Sequence, residues 1–239
     1  MTQNADRIAQ IAIRHPASHK IFDRAGIDYC CNGSQTPDDA CSRLGVPPAE
    51  MARTIAEAEL ESGKHQADWN SSTCEFLILR LLRKEHADIH AEIRDLPTLA
   101  AATAERDESH HPELHTIREL VEELAAELTV HMDAEERNVF PILLDVELAY
   151  LGEITASGPP REIGSILKKM SEEHRVVGRT LGRLRHESNG FHPPVKADGE
   201  YKEFYDRLGS LYSAIRQDLH VENNILFSRV AQMEAALLH

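Results

Sequence analysis

The sequence predicts an all-α protein in which a small helical unit that carries cysteines precedes a four-helix bundle. Apolar residues recur every three or four positions along most of the 239-residue chain, and hardly any stretch alternates as a strand would. Turn-prone clusters containing Pro, Gly and Asp separate the periodic segments. Long helices joined by such loops are typical of a bundle, whose core can hold inward-facing ligands.

The N-terminal unit is predicted over residues 1–62, and a polar linker over 63–70. Its short helices are expected at 4–13, 16–25, 37–44 and 47–62. Pro16 and Pro48 stand near helix starts, where the fixed φ of proline is favourable.

The bundle is predicted over residues 71–239. Its four helices are expected at about 71–96, 112–150, 159–188 and 199–238. Pro97 and Pro141 are expected to end or kink their helices, because proline removes a backbone hydrogen bond.

The charge of the chain argues against nucleic acid and membrane surfaces as partners. With 26 Lys and Arg against 40 Asp and Glu, the formal net charge is -14, which repels phosphates and anionic lipids. No apolar stretch is long enough to cross a bilayer, and the N-terminus lacks the pattern of a signal peptide. We therefore expect a cytoplasmic protein whose four irregularly spaced cysteines are reduced thiols.

An internal repeat organises the bundle. The segment HMDAEERNVFPIL (131–143) aligns without gaps on DLHVENNILFSRV (218–230). In the same way, EHADIHAEIRDL (85–96) aligns on EHRVVGRTLGRL (173–184). The bundle is therefore predicted to consist of two related helical hairpins.

The repeat singles out a set of metal-ligand types on four different helices. Residues four apart lie on the same helix face, so each second helix can point a pair of ligands inward, and each first helix adds a histidine. The candidate ligands are His86, His131, Glu135, His174, Asp218 and Glu222. Such a buried cluster is costly unless it is paired or metal-bound, and its mixed donors suit iron or manganese. A glutamate from each hairpin could bridge two metal ions.

Most single histidines on amphipathic helices are ordinary surface or core residues, and this chain has 14 of them. The repeat is what separates the candidate ligands from that background. His90, one turn from His86, remains an intermediate case. His220 points about 200° around the helix from Asp218 and Glu222 and is a poor substitute ligand.

Several motifs resemble a known family. They are DYCCNG (28–33), Trp69 placed 17 residues before His86, HMDAEERNVFP, SEEH ending at His174, and HVENNILF (220–227). Together they resemble the iron-sulfur cluster repair di-iron proteins, the RIC or ScdA/YtfE-like family, which join a small N-terminal cysteine domain to a hemerythrin-like bundle. The resemblance covers nearly the whole chain.

The resemblance implies a centre of two non-haem iron ions, which an oxo group could bridge. The donor types leave manganese as an alternative. His86, His131 and His174 match its terminal ligands, and Glu135 and Glu222 match its bridges. It also implies a role in restoring iron-sulfur clusters damaged by nitric oxide or oxidants. The expected partners are damaged iron-sulfur proteins and the small ligands NO and O2. Whether two copies form a homodimer is left open.

Two positions depart from the family pattern, because Asp107 and Asp218 stand where it has histidines. We predict that both aspartates are oxygen ligands, giving a centre with fewer nitrogens and more negative charge. His110 or His111 could instead compensate for Asp107. A third alternative is that one metal site is weakened or absent.

Cys30 and Cys31 lie between a helical stretch and a glycine turn. Because adjacent side chains diverge in extended or turn backbone, we expect an exposed pair that could bind iron transiently, carry nitrosyl or persulfide groups, or close a strained disulfide. With the resemblance, the pair is predicted to relay iron or electrons. Buried structural cysteines are the common alternative, and Cys41 and Cys74 are assigned that way. Whether the protein turns over or only binds O2 or NO is left open.

Overall fold

The computed structural model describes residues 6–62, 69, 71–107, 110–154, 163–195 and 197–238. All regular secondary structure within these ranges is helical, which confirms the predicted fold class. Within the same ranges, no helix combines the length and the apolar character that crossing a membrane requires.

Four short helices form the N-terminal unit. They are α1 (Ile8–Arg14), α2 (Ser18–Ala25), α3 (Pro37–Leu44) and α4 (Pro48–Ser62). Gly26 and Gly45 end α2 and α3 with φ of 69° and 66°, a left-handed conformation that suits glycine. Phe22 and Tyr29 are fully buried in this unit, which therefore has an apolar core of its own.

The described part of the bundle contains four long helices, and three of them pass through a π-helical turn. The first comprises α5 (Cys74–Arg80), a π turn (Leu81–Glu85) and α6 (His86–Asp107). The second comprises α7 (Glu113–Ala134), a π turn (Glu135–Val139) and α8 (Phe140–Tyr150). The third is α9 (Ile163–Glu187), and the fourth comprises α10 (Gly199–Val221), a π turn (Glu222–Leu226) and α11 (Phe227–Leu237).

The predicted end of the first helix at 96 is wrong, because α6 continues through Pro97 to Asp107. Leu96 and Ala100 are buried on either side of this proline, so core packing holds the helix together despite one lost hydrogen bond. Pro141 lies in the first turn of α8, immediately after a π turn, where a proline is tolerated.

Most of the predicted linker, 63–68 and 70, lies outside the described residues. Trp69 is buried against the bundle, and the Arg80 guanidinium lies 4.2 Å from the centre of its ring.

The N-terminal unit docks on the fourth bundle helix through buried polar contacts. Arg216 donates to the hydroxyl of Tyr212 at 2.6 Å and to the carbonyl of Ile27, and it pairs with Asp23 at 2.9 Å. His220, one turn further along, lies 3.3 Å from the carbonyl of Tyr29 through Nδ1. These contacts bring the cysteine segment against the bundle.

Candidate metal centre

Six ionisable side chains from all four bundle helices meet inside the bundle. They are His86, His131, Glu135, His174, Asp218 and Glu222, and each is at most 6% exposed. On one side of them lies an apolar cluster that includes Leu128, Met132 and Leu219, and on the other a cluster that includes Phe140 and Phe227. The six therefore form a polar layer between two apolar parts of the core.

Two imidazoles and two carboxylate oxygens form what we call the His-rich sub-site. The Nε2 atoms of His131 and His174 lie 2.9 Å apart. Oε1 of Glu135 lies 3.3 Å from Nε2 of His131 and 3.4 Å from that of His174. Oε2 of Glu222 lies 3.4 Å from Nε2 of His174.

One imidazole and three carboxylate oxygens form the carboxylate-rich sub-site. Nε2 of His86 lies 3.7 Å from Oδ1 of Asp218, 3.6 Å from Oε1 of Glu222 and 3.8 Å from Oε2 of Glu135. Each glutamate thus offers one oxygen to each sub-site, which is the arrangement that two bridged metal ions require.

The polar atoms of the carboxylate-rich sub-site fit a metal. Among the described residues, Nε2 of His86, Oε2 of Glu135, Oδ1 of Asp218 and both carboxylate oxygens of Glu222 are buried without a hydrogen-bond partner. Buried polar atoms are rarely left unsatisfied, because their desolvation is costly. Nitrogen and oxygen donors in this mixture suit iron or manganese.

Each inward-facing imidazole is held from behind through its Nδ1 atom. Nδ1 of His86 lies 2.8 Å from Glu136, that of His131 lies 3.0 Å from Glu173, and that of His174 lies 2.9 Å from the amide oxygen of Asn223. If each Nδ1–H donates to these oxygens, each Nε2 keeps a lone pair for a metal. Sequence reasoning missed all three partners, although the repeat aligns Glu136 with Asn223 just as it aligns His86 with His174.

Without metal, burial and the close contacts among these acids and imidazoles shift their pKa values. Burial opposes the charge of His86 and His131, but hydrogen bonds and carboxylate charges outweigh it and raise their pKa values to about 10 and about 9. Burial, together with the neighbouring charge of Glu222, raises the pKa of Asp218 well above its usual range. These directions favour the protonated forms of His86, His131 and Asp218 at neutral pH when no metal is bound.

The π turns coincide with the ligands. Glu135 and Glu222 each begin a π turn, and the remaining π turn, Leu81–Glu85, ends immediately before His86. A π turn inserts an extra residue into a helix and is frequent at functional sites. The extra residue changes the directions of the side chains around it, and the regular spacing in the sequence does not predict this change.

The other candidate ligands are not among these six side chains. The side chain of Asp107 is outside the described part of the structure. His110 is exposed, and His111 pairs with Glu113 at 3.0 Å and packs on the ring of Tyr201. His90 is not aimed into the cluster but lies 3.4 Å from Glu136, which holds His86.

The two cysteines do not diverge, and Cys30 is not exposed, so the expectation of an exposed pair is wrong. Oδ1 of Asp28 accepts hydrogen bonds from the backbone N–H of Cys30 and of Cys31, at 3.1 and 2.9 Å. This tight turn brings the two Sγ atoms to 3.4 Å from each other. Cys30 is only 4% exposed and Cys31 is half-buried. The hydrogen bond with Cys31, followed by burial, raises the pKa of the Cys30 thiol well above its usual range.

The cysteine turn contacts the metal-ligand helices directly. Sγ of Cys31 lies 3.4 Å from the carbonyl of His174. The amide nitrogen of Asn223 donates to the carbonyl of Cys30 at 3.2 Å, while its oxygen faces His174. Asn223 therefore connects the cysteine turn to an imidazole of the His-rich sub-site. Cys41 and Cys74 are fully buried.

This geometry defines a four-helix-bundle protein with a buried group of His, Asp and Glu side chains that could hold a cation. The chain belongs to the hemerythrin HHE cation binding domain family, whose model matches residues 77–230. Residues 4–59 match ScdA_N, a domain of unknown function.

Curated relatives match over nearly the full length. The iron-sulfur cluster repair protein YtfE of Pectobacterium atrosepticum is 26% identical over 98% of this chain and all of its own length. The protein of that name from Escherichia coli O81 is 29% identical over 93% of this chain and 94% of its own. A probable iron-sulfur cluster repair protein of Haemophilus influenzae is 24% identical, covering 94% of this chain and 96% of its own.

Proposed function

We propose that this protein repairs iron-sulfur clusters damaged by nitric oxide or oxidative stress, by means of a non-haem di-iron centre in the bundle. The observation that carries the proposal is that Glu135 and Glu222 each turn one oxygen to each sub-site. The names of the relatives support the repair role. The two units proposed for the chain are residues 1–62 and 71–239, joined by 63–70.

Each ligand has a distinct role in this proposal. His131 and His174 would hold one ion, His86 and Asp218 would hold the other, and both glutamates would contribute an oxygen to each. Asp107 remains a predicted further ligand. When bound, a pair of iron ions supplies electrons and binding positions for small diatomic ligands. Manganese in place of iron remains an alternative prediction, as do NO and O2 as ligands, a homodimer and a cytoplasmic location.

The cysteine pair is proposed as the relay between the bundle and a damaged cluster. Its position supports this role, because Cys31 lies against the carbonyl of His174 and Cys30 against the amide of Asn223. Two thiols that close a disulfide release two electrons and two protons. Reduction of two NO molecules to nitrous oxide and water consumes the same number of each.

A repair assay tests the proposal. Reduced, iron-loaded protein is mixed anaerobically with a [4Fe–4S] hydro-lyase that nitric oxide has inactivated, and the recovered hydro-lyase activity is measured. We expect recovery with the wild type, and loss of recovery in the double variant Cys30→Ser/Cys31→Ser although its bundle keeps its iron. Cys41→Ala, which removes a buried thiol of the same unit, is the matched control.

Unchanged repair by the double variant would rule out the relay. Iron-loaded wild type that restores no activity would rule out the repair function itself.

The alternative function is a hemerythrin-like protein that binds or senses O2 or NO without turnover. The burial of Cys30 favours it, since a buried thiol exchanges slowly with large partners. Anaerobic mixing of the reduced protein with nitric oxide separates the two functions. Stable stoichiometric uptake indicates a carrier or sensor, and continued release of nitrous oxide indicates a reductase.

A further inference from the structure

A pocket of about 340 Å³ opens beside Cys31, where the N-terminal unit meets α9. Asp28, Cys31 and the polar residues Asn32 and Ser34 line it from the N-terminal unit. Cys31 is only partly buried and is one of the residues that line the pocket. The metal ligands do not line it.

The opposite wall of the pocket is one face of α9. Gly178 and Arg179 lie three and four residues after Arg175, so both are neighbours of Arg175 on the helix surface. A Cβ atom at Gly178 would lie 3.4 Å from Sγ of Cys31, and glycine therefore keeps the space next to the sulfur open. Arg175 and Arg179 line the same wall, and both side chains are exposed.

The charge of the pocket is opposite to that of the whole chain. The protein carries a formal net charge of -14, yet two arginines and a single carboxylate line this pocket. That carboxylate, Asp28, already accepts both backbone N–H groups of the cysteine turn through Oδ1. Outside the lining, Glu172 pairs with Arg175 at 2.8 Å, and the charge of Arg179 also acts on the carboxyl group of Glu127. A local positive site on an acidic protein selects anions.

The two thiols are arranged for an exchange in two steps. Cys31 borders the pocket, whereas Cys30 is buried 3.4 Å behind it. A sulfur compound in this pocket therefore meets Cys31 first. Cys30 lines a separate, smaller cavity of about 90 Å³, and its Sγ lies within reach of the Sγ of Cys31. An attacking thiol and a resolving thiol have this relation in dithiol exchange.

We propose that this pocket binds a low-molecular-weight thiol that carries carboxylates, or its disulfide, and exchanges electrons between it and the cysteine pair. The Cys31 thiolate attacks one sulfur of the disulfide RSSR, whose S–S bond breaks, and the departing RS⁻ takes up a proton. Cys30 then loses its proton and attacks Sγ of Cys31, which releases the second thiol. In sum, two cysteine thiols become one disulfide and RSSR becomes two RSH, and in reverse two RSH reduce the pair.

This site is independent of the di-iron proposal, because the exchange takes place at sulfur and needs no metal ligand. The test uses the full chain with Cys30→Ser, which cannot resolve the mixed disulfide and so traps one adduct on Cys31. The adduct is counted by intact mass, and Cys31→Ser is the blank, since Cys41 and Cys74 are fully buried. The probes are glutathione disulfide, which is anionic, bis(2-hydroxyethyl) disulfide, which is neutral, and cystamine, which is cationic.

We expect glutathione disulfide to react about fivefold faster than the neutral probe at low salt, as two exposed charge contacts would produce, and cystamine to react slowest. Steric bulk alone would give the reverse order, because glutathione disulfide is the largest probe. The preference should disappear in Arg175→Gln/Arg179→Gln and persist in Arg183→Gln, an exposed arginine of the same helix outside the pocket.

A neutral probe that reacts as fast as the anionic one would overturn the proposal. So would a preference that survives the loss of both pocket arginines. In the wild type, the adduct should give way to a Cys30–Cys31 disulfide with release of a second glutathione, and a persistent adduct would contradict the resolving role of Cys30.

Discussion

The two sub-sites of the metal centre share both glutamates but differ in their other side chains. In the His-rich sub-site, His131 and His174 face each other, whereas in the carboxylate-rich sub-site His86 faces Asp218. Most of the buried atoms of the metal centre that lack a hydrogen-bond partner belong to the second sub-site or to the glutamates that both sub-sites share. In the first sub-site, the Nε2 atoms of the two imidazoles lie within hydrogen-bond distance of each other, whereas in the second the Nε2 of His86 has no such partner.

The repeat shows that this difference extends behind the ligands. Glu173 and Glu85 occupy equivalent repeat positions, as do His131 and Asp218. Glu173 lies 3.0 Å from Nδ1 of His131. Asp218 has no N–H to offer, and Glu85 instead pairs with Arg80 at 3.1 Å. Where the second half of the repeat has Asp218 instead of a histidine, the corresponding glutamate, Glu85, therefore pairs with an arginine instead of an imidazole.

The largest loss of metal is expected from a change at Glu222, which offers one oxygen to each sub-site. Glu222→Gln keeps the size of the side chain but removes the charge that both ions share, so both sub-sites should lose metal. Metal analysis of the purified chain should show less than half of the wild-type content. Asp133→Asn, which changes an exposed acid on the second helix, should keep the full content. If only one ion were lost, the glutamate would serve a single sub-site.

A smaller effect should separate the sub-sites. Asp218→Ala should remove the ion of the carboxylate-rich sub-site and leave the other in place, because His131, His174 and both glutamates remain. His131→Ala should do the converse.

Metal content near half of the wild-type value in each variant, with different absorption spectra, would fit two distinct sub-sites. Identical spectra would mean that the remaining ligands collapse on one common site. An unchanged metal content in Asp218→Ala would show that Asp218 is not a ligand.

The smallest effect concerns the groups behind the ligands. Glu173→Gln should weaken metal binding in the His-rich sub-site roughly 10- to 100-fold, as is usual when the carboxylate behind a ligating histidine is removed. Glu85→Gln, at the equivalent repeat position, should change the affinity much less, since Asp218 makes no such bond. Competition with a metal chelator measures both. Equal losses in the two variants would contradict the asymmetry.

The sequence predicts much of this architecture because the relevant signals are local. Helical periodicity places all the bundle helices, and the internal repeat points to His86, His131, Glu135, His174, Asp218 and Glu222, which the structure brings together. That they bind metal stays a prediction until metal is measured. The predicted end of the first helix was wrong because packing of Leu96 and Ala100 outweighs the local preference of Pro97.

The arrangement of the thiols could not be read from the sequence for a related reason. Cys30 and Cys31 converge because Asp28 caps their turn, and Cys30 is buried because the turn docks on Asn223 and His174. The second of these contacts joins residues far apart in the chain. Sequence spacing carries no information about which surfaces of two units will meet.

By itself, the sequence determined the helices, the repeat and the identity of the candidate ligands, since these follow from residue type and from spacing along one helix. Only the tertiary structure decided which oxygen of each glutamate faces which sub-site and where the π turns change the directions of the side chains. It also decided which arginines line the pocket beside Cys31. These features depend on distances between helices, and packing of the whole core sets such distances.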